Sequence, residues 1–270
     1  MPRIRAGAVS YLNTRPLIFG IEQGLGAGRI ELSYDVPSVL AARMAAGELD
    51  LALLPVIELS MIPGLVVVPG LAIGSFGSCR SVRLVARSPL DEVRRVALDP
   101  ESRTSNALAR VLFAEAWHAD PSFTVGPRDL ALALSEHDAV VRIGDKALFE
   151  PLPEGATAHD LGEAWTARTG LPFVFAVWAA RPGILDREVY EILHASRRAG
   201  SAVLDAIAAD YTWNGRTYPE IALPYLREAM RYRLGVPEVA AIERFLAAAG
   251  SPATLNLYGG GREIRREQLT

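Results

Sequence analysis

Few of the side chains that most often bind metals or act as nucleophiles occur in these 270 residues: one cysteine, four histidines and a single lysine, Lys146. A lone Cys79 excludes an internal disulfide and a cysteine-rich metal site. His118, His137, His159 and His194 fall on expected helices or in the loop before Asp160, and are expected at the surface. There is no glycine-rich dinucleotide fingerprint, no phosphate-binding P-loop, and no serine elbow with a matching histidine. Any catalysis is therefore expected to run without metal or cofactor. No apolar run approaches the ~20 residues that span a bilayer. The N-terminus enters a strand at once, without the apolar core of a secretory signal, so a cytoplasmic protein with no membrane partner is expected. The formal net charge is -3 and the arginines are dispersed, which argues against nucleic acid. No repeat or low-complexity segment is visible.

What is present is apolar surface: 50% of residues are hydrophobic, enough for one large or two modest domains. Strand-like runs at Ile4–Val9, Leu32–Val36, Leu51–Pro55, Leu65–Val68, Val82–Ala86, Val96–Leu98, Ala139–Ile143 and Phe173–Ala179 alternate with helical runs. The helices are expected at Pro16–Gln23, Ser38–Ala46, Asn106–Ala116, Arg128–Ser135 and Lys146–Glu150. Such alternation predicts an α/β fold of parallel sheets covered by helices. From Asp186 the pattern becomes helical, at Arg187–Asp210, Tyr218–Tyr232 and Pro237–Ala249. These helices are expected to pack on the first lobe, and association into a homodimer is left open. The polar tail from Gly259 to Thr270 is expected to be disordered or to lie across the surface.

Ser81 to Arg87 reads as a strand leading out of one α/β unit and Pro172 to Ala179 as one leading back. The expected architecture is two lobes, 1–87 plus 178–270 and an inserted 88–177, with a ligand cleft between them that closes by hinge motion. Three strand-to-helix turns should face that cleft. The first is Ser10-Tyr11-Leu12-Asn13-Thr14, followed by a helix with Pro16 in its first turn. The second is Asp99 through Ser105, where Ser102, Thr104 and Ser105 crowd a helix N-terminus suited to a carboxylate or phosphate. Helix capping is the plain alternative there. The third is Arg142-Ile143-Gly144-Asp145-Lys146-Ala147, in which Gly144 permits close backbone approach and Asp145 either caps the helix or points into the cleft. A fourth element, Gly74 to Ser81, reads as a flexible polar loop in which Ser78 and Ser81 offer hydroxyls.

Val9 to Leu17, Asp99 to Ser105, Ile143 to Leu148, and Asp160 to Trp165 continuing through Thr169 to Trp178, taken together, resemble the chorismate dehydratase family of the futalosine route to menaquinone. The resemblance spans essentially the whole chain. It implies a two-lobed fold of the type 2 periplasmic-binding-protein kind. It also implies a small-molecule substrate, chorismate, converted by loss of water to 3-[(1-carboxyvinyl)oxy]benzoate. Carried over, it puts Asn13 and Ser81 beside the substrate and has Thr104 and Ser105 hold a carboxylate, with Ser78 the alternative to Ser81. Ser10, Tyr11, Ser102, Gly144 and Asp145 complete the expected binding residues.

Such a sparse site suits the reaction. The C3 hydrogen of chorismate is vinylogous to the ring carboxylate, and loss of the C4 hydroxyl makes the ring aromatic. The protein need only orient the substrate and stabilise developing charge. Two bases are open, Asp145 and the substrate's own enolpyruvyl carboxylate; the second is favoured because the turns supply neutral donors. Two other functions share the fold. A 1,4-dihydroxy-6-naphthoate synthase of the same pathway is disfavoured because no histidine lies in a turn. A small-anion receptor is disfavoured because no export signal is visible.

Overall fold

The computed structural model describes residues 3–259 and 263–264. In chain order its strands are β1 Ile4–Ala8, β2 Ile30–Tyr34, β3 Leu51–Pro55, β4 Val66–Ser75, β5 Val82–Ala86, β6 Arg95–Leu98 and β7 Ser122–Val125. They continue with β8 Ala139–Ile143, β9 Thr157–Asp160, β10 Phe173–Ala180, β11 Thr212–Trp213, β12 Arg216–Thr217, β13 Asn256–Tyr258 and β14 Glu263–Ile264. Two large mixed sheets result. One has the order β14-β13-β4-β10-β3-β1-β2, the other β7-β6-β8-β5-β9. In the first, β1 runs parallel to β2 and β3, while β10 is antiparallel to β3 and β4. In the second, β6 is parallel to β7 and β8, while β5 is antiparallel to β8 and β9.

This is the expected two-lobed α/β fold, with both crossing boundaries moved. The sequence reading leaves residues up to 87 in the first lobe, but Val82–Ala86 is the penultimate strand of the second sheet. Phe173–Ala180 likewise belongs wholly to the first sheet, paired to β3 and β4. The chain therefore changes sheets in the segments 76–81 and 161–172. The alternation of strand and helix identifies the units but not which sheet a crossing strand joins, because either partner would bury its apolar face equally.

Local chemistry explains the other shifts. The second strand ends at Tyr34 rather than Val36 because its neighbour β1 ends opposite it at Ala8, and Val36 is already the N-cap of the helix that opens at Pro37. The strand expected at Leu65–Val68 continues to Ser75, with its pairing to β10 interrupted by register shifts. The C-terminal region is not all helix. The first expected helix divides into Arg187–Ala202 and Leu204–Asp210, a hairpin turns at Asn214-Gly215, and β13 adds parallel to β4. The helix Pro219–Pro224 opens into a wide π turn, Tyr225–Ala229, since Pro224 has no N–H to give the ladder. The expectation for the tail lies outside the described residues, except that Glu263–Ile264 pairs with β13.

The core contains Trp165, Trp178, Tyr225, Phe113, Phe173 and Phe245, all fully buried. The helix Arg15–Glu22, which carries the first turn, is seated against Arg187–Ala202. A Cβ at Gly200 would stand 2.2 Å from the Pro16 carbonyl oxygen. Ser196 fixes the same contact, donating to the Leu17 carbonyl at 2.8 Å and accepting from the Ile21 N–H at 3.2 Å. Among the described residues no helix is long and apolar enough to cross a membrane.

Candidate functional site

The turns that follow β1, β6 and β8 meet between the two sheets, as the carboxyl ends of parallel strands do in open α/β folds. They border a hollow that is open to solvent and has about 540 Å³ free of protein atoms, the open mouth included. Its apolar walls include Val9, Leu53, Pro55, Ile73 and Phe175, and its polar ones Tyr11, Asn13, Thr14, Ser81, Ser102, Thr104, Ser105 and Gly144. No charged side chain lines it. Seven of the ten expected residues are thus brought together.

Ser10, Ser78 and Asp145 are not in the lining. Ser10 is exposed, and its carbonyl stands 3.1 Å from the Tyr211 hydroxyl. Ser78 is exposed and donates to Asp160 at 2.8 Å. That aspartate also accepts from the N–H groups of Cys79 at 3.1 Å, Arg80 at 2.6 Å and Glu163 at 3.0 Å. The polar loop expected to be flexible is thus tied to one carboxylate, and its first residues, Gly74 and Ser75, lie in β4. None of the histidines lines the hollow, and His159 stands half-buried in β9 rather than in a surface loop.

Within the lining, capping and binding roles divide. Ser102 is the N-cap of the helix Arg103–Glu115, its hydroxyl accepting from the Ser105 N–H at 3.2 Å. The Thr104 hydroxyl oxygen accepts from the Ile57 N–H of the first lobe at 3.3 Å, which leaves its proton for another acceptor. Gly144 has φ 62, and a Cβ there would lie 2.8 Å from the Tyr11 ring. That close approach packs the first turn onto the third. Tyr11 donates to Glu101 at 3.1 Å. Burial, then the charge of Glu101, push its phenol far up, so it stays protonated. Glu101 in turn pairs with Arg128 at 3.1 Å and Lys146 at 3.3 Å.

Asp145 is 8% exposed and spans the lobes. One of its oxygens accepts from the Leu12 N–H at 3.1 Å, the other from the Tyr211 hydroxyl. Burial raises its carboxyl above the ordinary range, against the lowering effect of these two bonds. Glu58, buried on the first lobe, pairs with Arg103 of the second at 3.2 Å. Ser81 accepts from the Tyr225 hydroxyl at 2.8 Å. Glu58, Glu101, Tyr211 and Tyr225 escaped the sequence reading. Glu101 lies within the second turn with no motif to mark it, and the two tyrosines lie on or beside the C-terminal helical stretches, far from the turns in sequence.

A family model described as menaquinone biosynthesis matches residues 4–251. The chain is 31% identical to the chorismate dehydratase of Thermus thermophilus, over 93% of this chain and 97% of that protein. It is 25% identical to the chorismate dehydratase of Campylobacter jejuni, over 90% of this chain and 96% of that one. Among solved structures, a protein of Archaeoglobus fulgidus superposes with a TM-score of 0.71 at 17% identity, covering 92% of this chain and 97% of that one. The periplasmic aliphatic sulphonate binding protein of Escherichia coli does so with a TM-score of 0.57 at 16% identity, covering 94% and 95%. A Candida albicans protein described as having the generic periplasmic binding protein fold has a TM-score of 0.63 at 12% identity, covering 94% and 92%. The fold is therefore periplasmic-binding-protein-like.

Proposed function

The chain belongs to the menaquinone biosynthesis family, and from that premise we propose that it removes water from chorismate to give 3-[(1-carboxyvinyl)oxy]benzoate. The observation that carries the mechanism is the hollow itself, largely apolar, whose polar side chains are hydroxyls and one amide and which no charged side chain lines. A dicarboxylate bound there keeps its own charges and is recognised by neutral donors and by the N-terminus of the helix Arg103–Glu115.

In this reading Thr104 and Ser105 hold the ring carboxylate from the second lobe. Asn13 and Ser81 face the reacting edge and orient the enolpyruvyl group. That group's carboxylate takes the proton from C3 through a six-membered arrangement, and charge flows into the ring carboxylate. The C4–O bond then breaks, the hydroxide leaves with a proton as water, and the ring becomes aromatic. Fixed donors aimed at the ring carboxylate stabilise the charge as it develops, each worth about 3 kcal/mol. Asp145 is not the base in this reading, since it lies outside the lining of the hollow and its carboxylate is bonded to Leu12 and Tyr211. A cytoplasmic location belongs to the same proposal.

Incubating the pure protein with chorismate tests the reading. A benzoate-type ultraviolet spectrum should replace that of the diene. A protein that binds chorismate, raises its own Tm and leaves the diene intact is a receptor, and the proposal fails.

A further inference from the structure

The wide turn Tyr225–Ala229 delivers one residue to the cleft region that no strand-to-helix turn supplies. Tyr225 is 1% exposed, and its hydroxyl stands 2.8 Å from Ser81 Oγ. Ser81 is 2% exposed and lines the hollow. Its backbone is fixed on both sides, its N–H to the Cys79 carbonyl at 2.7 Å and its carbonyl to the Gly144 N–H at 2.8 Å. A serine hydroxyl has one proton and accepting lone pairs, so the direction of this bond decides what Ser81 can offer a ligand. If Ser81 donated to Tyr225, the phenol proton would be left in an apolar core without an acceptor, which is costly. Donation from Tyr225 to Ser81 satisfies the phenol and leaves the serine proton for the cleft. Burial raises the Tyr225 pKa well above its ordinary value, so the phenol keeps that proton.

We propose that Tyr225 is a positioning residue for the reaction: by donating to Ser81 Oγ it makes Ser81 a one-way donor, directed at an anionic oxygen of the substrate. Ser81 then discriminates for acceptors in the cleft, a carboxylate or a departing hydroxyl, and against donors. The inference rests on the placing of Ser81 beside chorismate given above. It adds a residue 144 positions away in sequence.

The test compares Tyr225→Phe, Ser81→Ala and the double variant, with kcat, KM and Tm measured for each. Tyr225→Phe keeps the ring in its packing and lets the serine proton wander. It should lower kcat about tenfold, the worth of one hydrogen bond, with KM nearly unchanged. In the Ser81→Ala background the same change should cost no further kcat. There it should raise Tm, because it removes a buried hydroxyl that Ser81→Ala had orphaned. An active wild type whose Tyr225→Phe variant keeps full kcat overturns this inference alone, as do kcat losses that multiply in the double variant. A wild type that leaves chorismate intact overturns the functional reading, and this inference with it.

Discussion

Replacing Asp145 by asparagine separates a lobe-joining role from a proton-accepting one. The carboxylate begins the helix Gly144–Phe149 on the second lobe and is bonded to Leu12 and Tyr211, both packed on the first. Asparagine keeps an acceptor for the Leu12 N–H but turns an amide toward Tyr211. One charge-assisted hydrogen bond is lost, a cost of about 1.5–3 kcal/mol. The substitution also removes a charge whose burial raises the Asp145 pKa, which returns part of that cost. The net loss is about 1–2 kcal/mol, a 5- to 30-fold shift away from the joined arrangement. Steady-state kinetics should therefore give a KM for chorismate raised by about that factor and a kcat nearly unchanged. A positioned base contributes about 10²–10⁴-fold. A fall in kcat of that size, with chorismate binding and Tm intact, would mean that Asp145 takes the proton and that substrate-assisted elimination is wrong.

Three further outcomes follow from the same geometry. Asn13→Ala removes an uncharged donor from the hollow and should lower kcat roughly 10²- to 10³-fold with little change in Tm; a variant at wild-type rate would exclude Asn13 from the reacting edge. Gly144→Ala places a non-glycine residue at φ 62 with its Cβ 2.8 Å from the Tyr11 ring, so denaturant unfolding should show at least about 1–2 kcal/mol of lost stability. Arg103→Met removes the cation that lowers the Glu58 pKa, which burial already raises. A carboxyl whose folded pKa exceeds its unfolded one adds stability that is whole below the unfolded value and lost as pH rises through the folded value. The variant lifts the folded value further, so its Tm deficit against wild type should widen with rising pH, and a deficit that shrinks would refute the pairing.

The turns after β1, β6 and β8 were legible because their chemistry is local. A strand that ends in polar residues, followed by a proline, a serine cap or a glycine, announces a helix N-terminus within a few positions. Capping and binding use the same hydroxyls, however, so Ser102 and Thr104 could not be told apart until Ser105 and Ile57 were found beside them. Ser78 and Ser81 looked equivalent for the same reason. Asp160 holds the first outside the hollow, and Tyr225 holds the second at its wall.

Alternating apolar periods, turn residues and the missing cofactor signatures determined, from the chain alone, a two-lobed α/β protein with a cleft of neutral donors. Tertiary structure decided which sheet received Val82–Ala86, and which acids join the lobes rather than enter the cleft. It also brought the C-terminal tyrosines to the site. Tyr11 meets Glu101 across 90 positions, Leu12 meets Asp145 across 133, and Ser81 meets Tyr225 across 144. Helical and strand patterns report burial over a few residues, while a hydrogen bond between distant segments depends on how whole elements pack, and leaves no period in the sequence to be read.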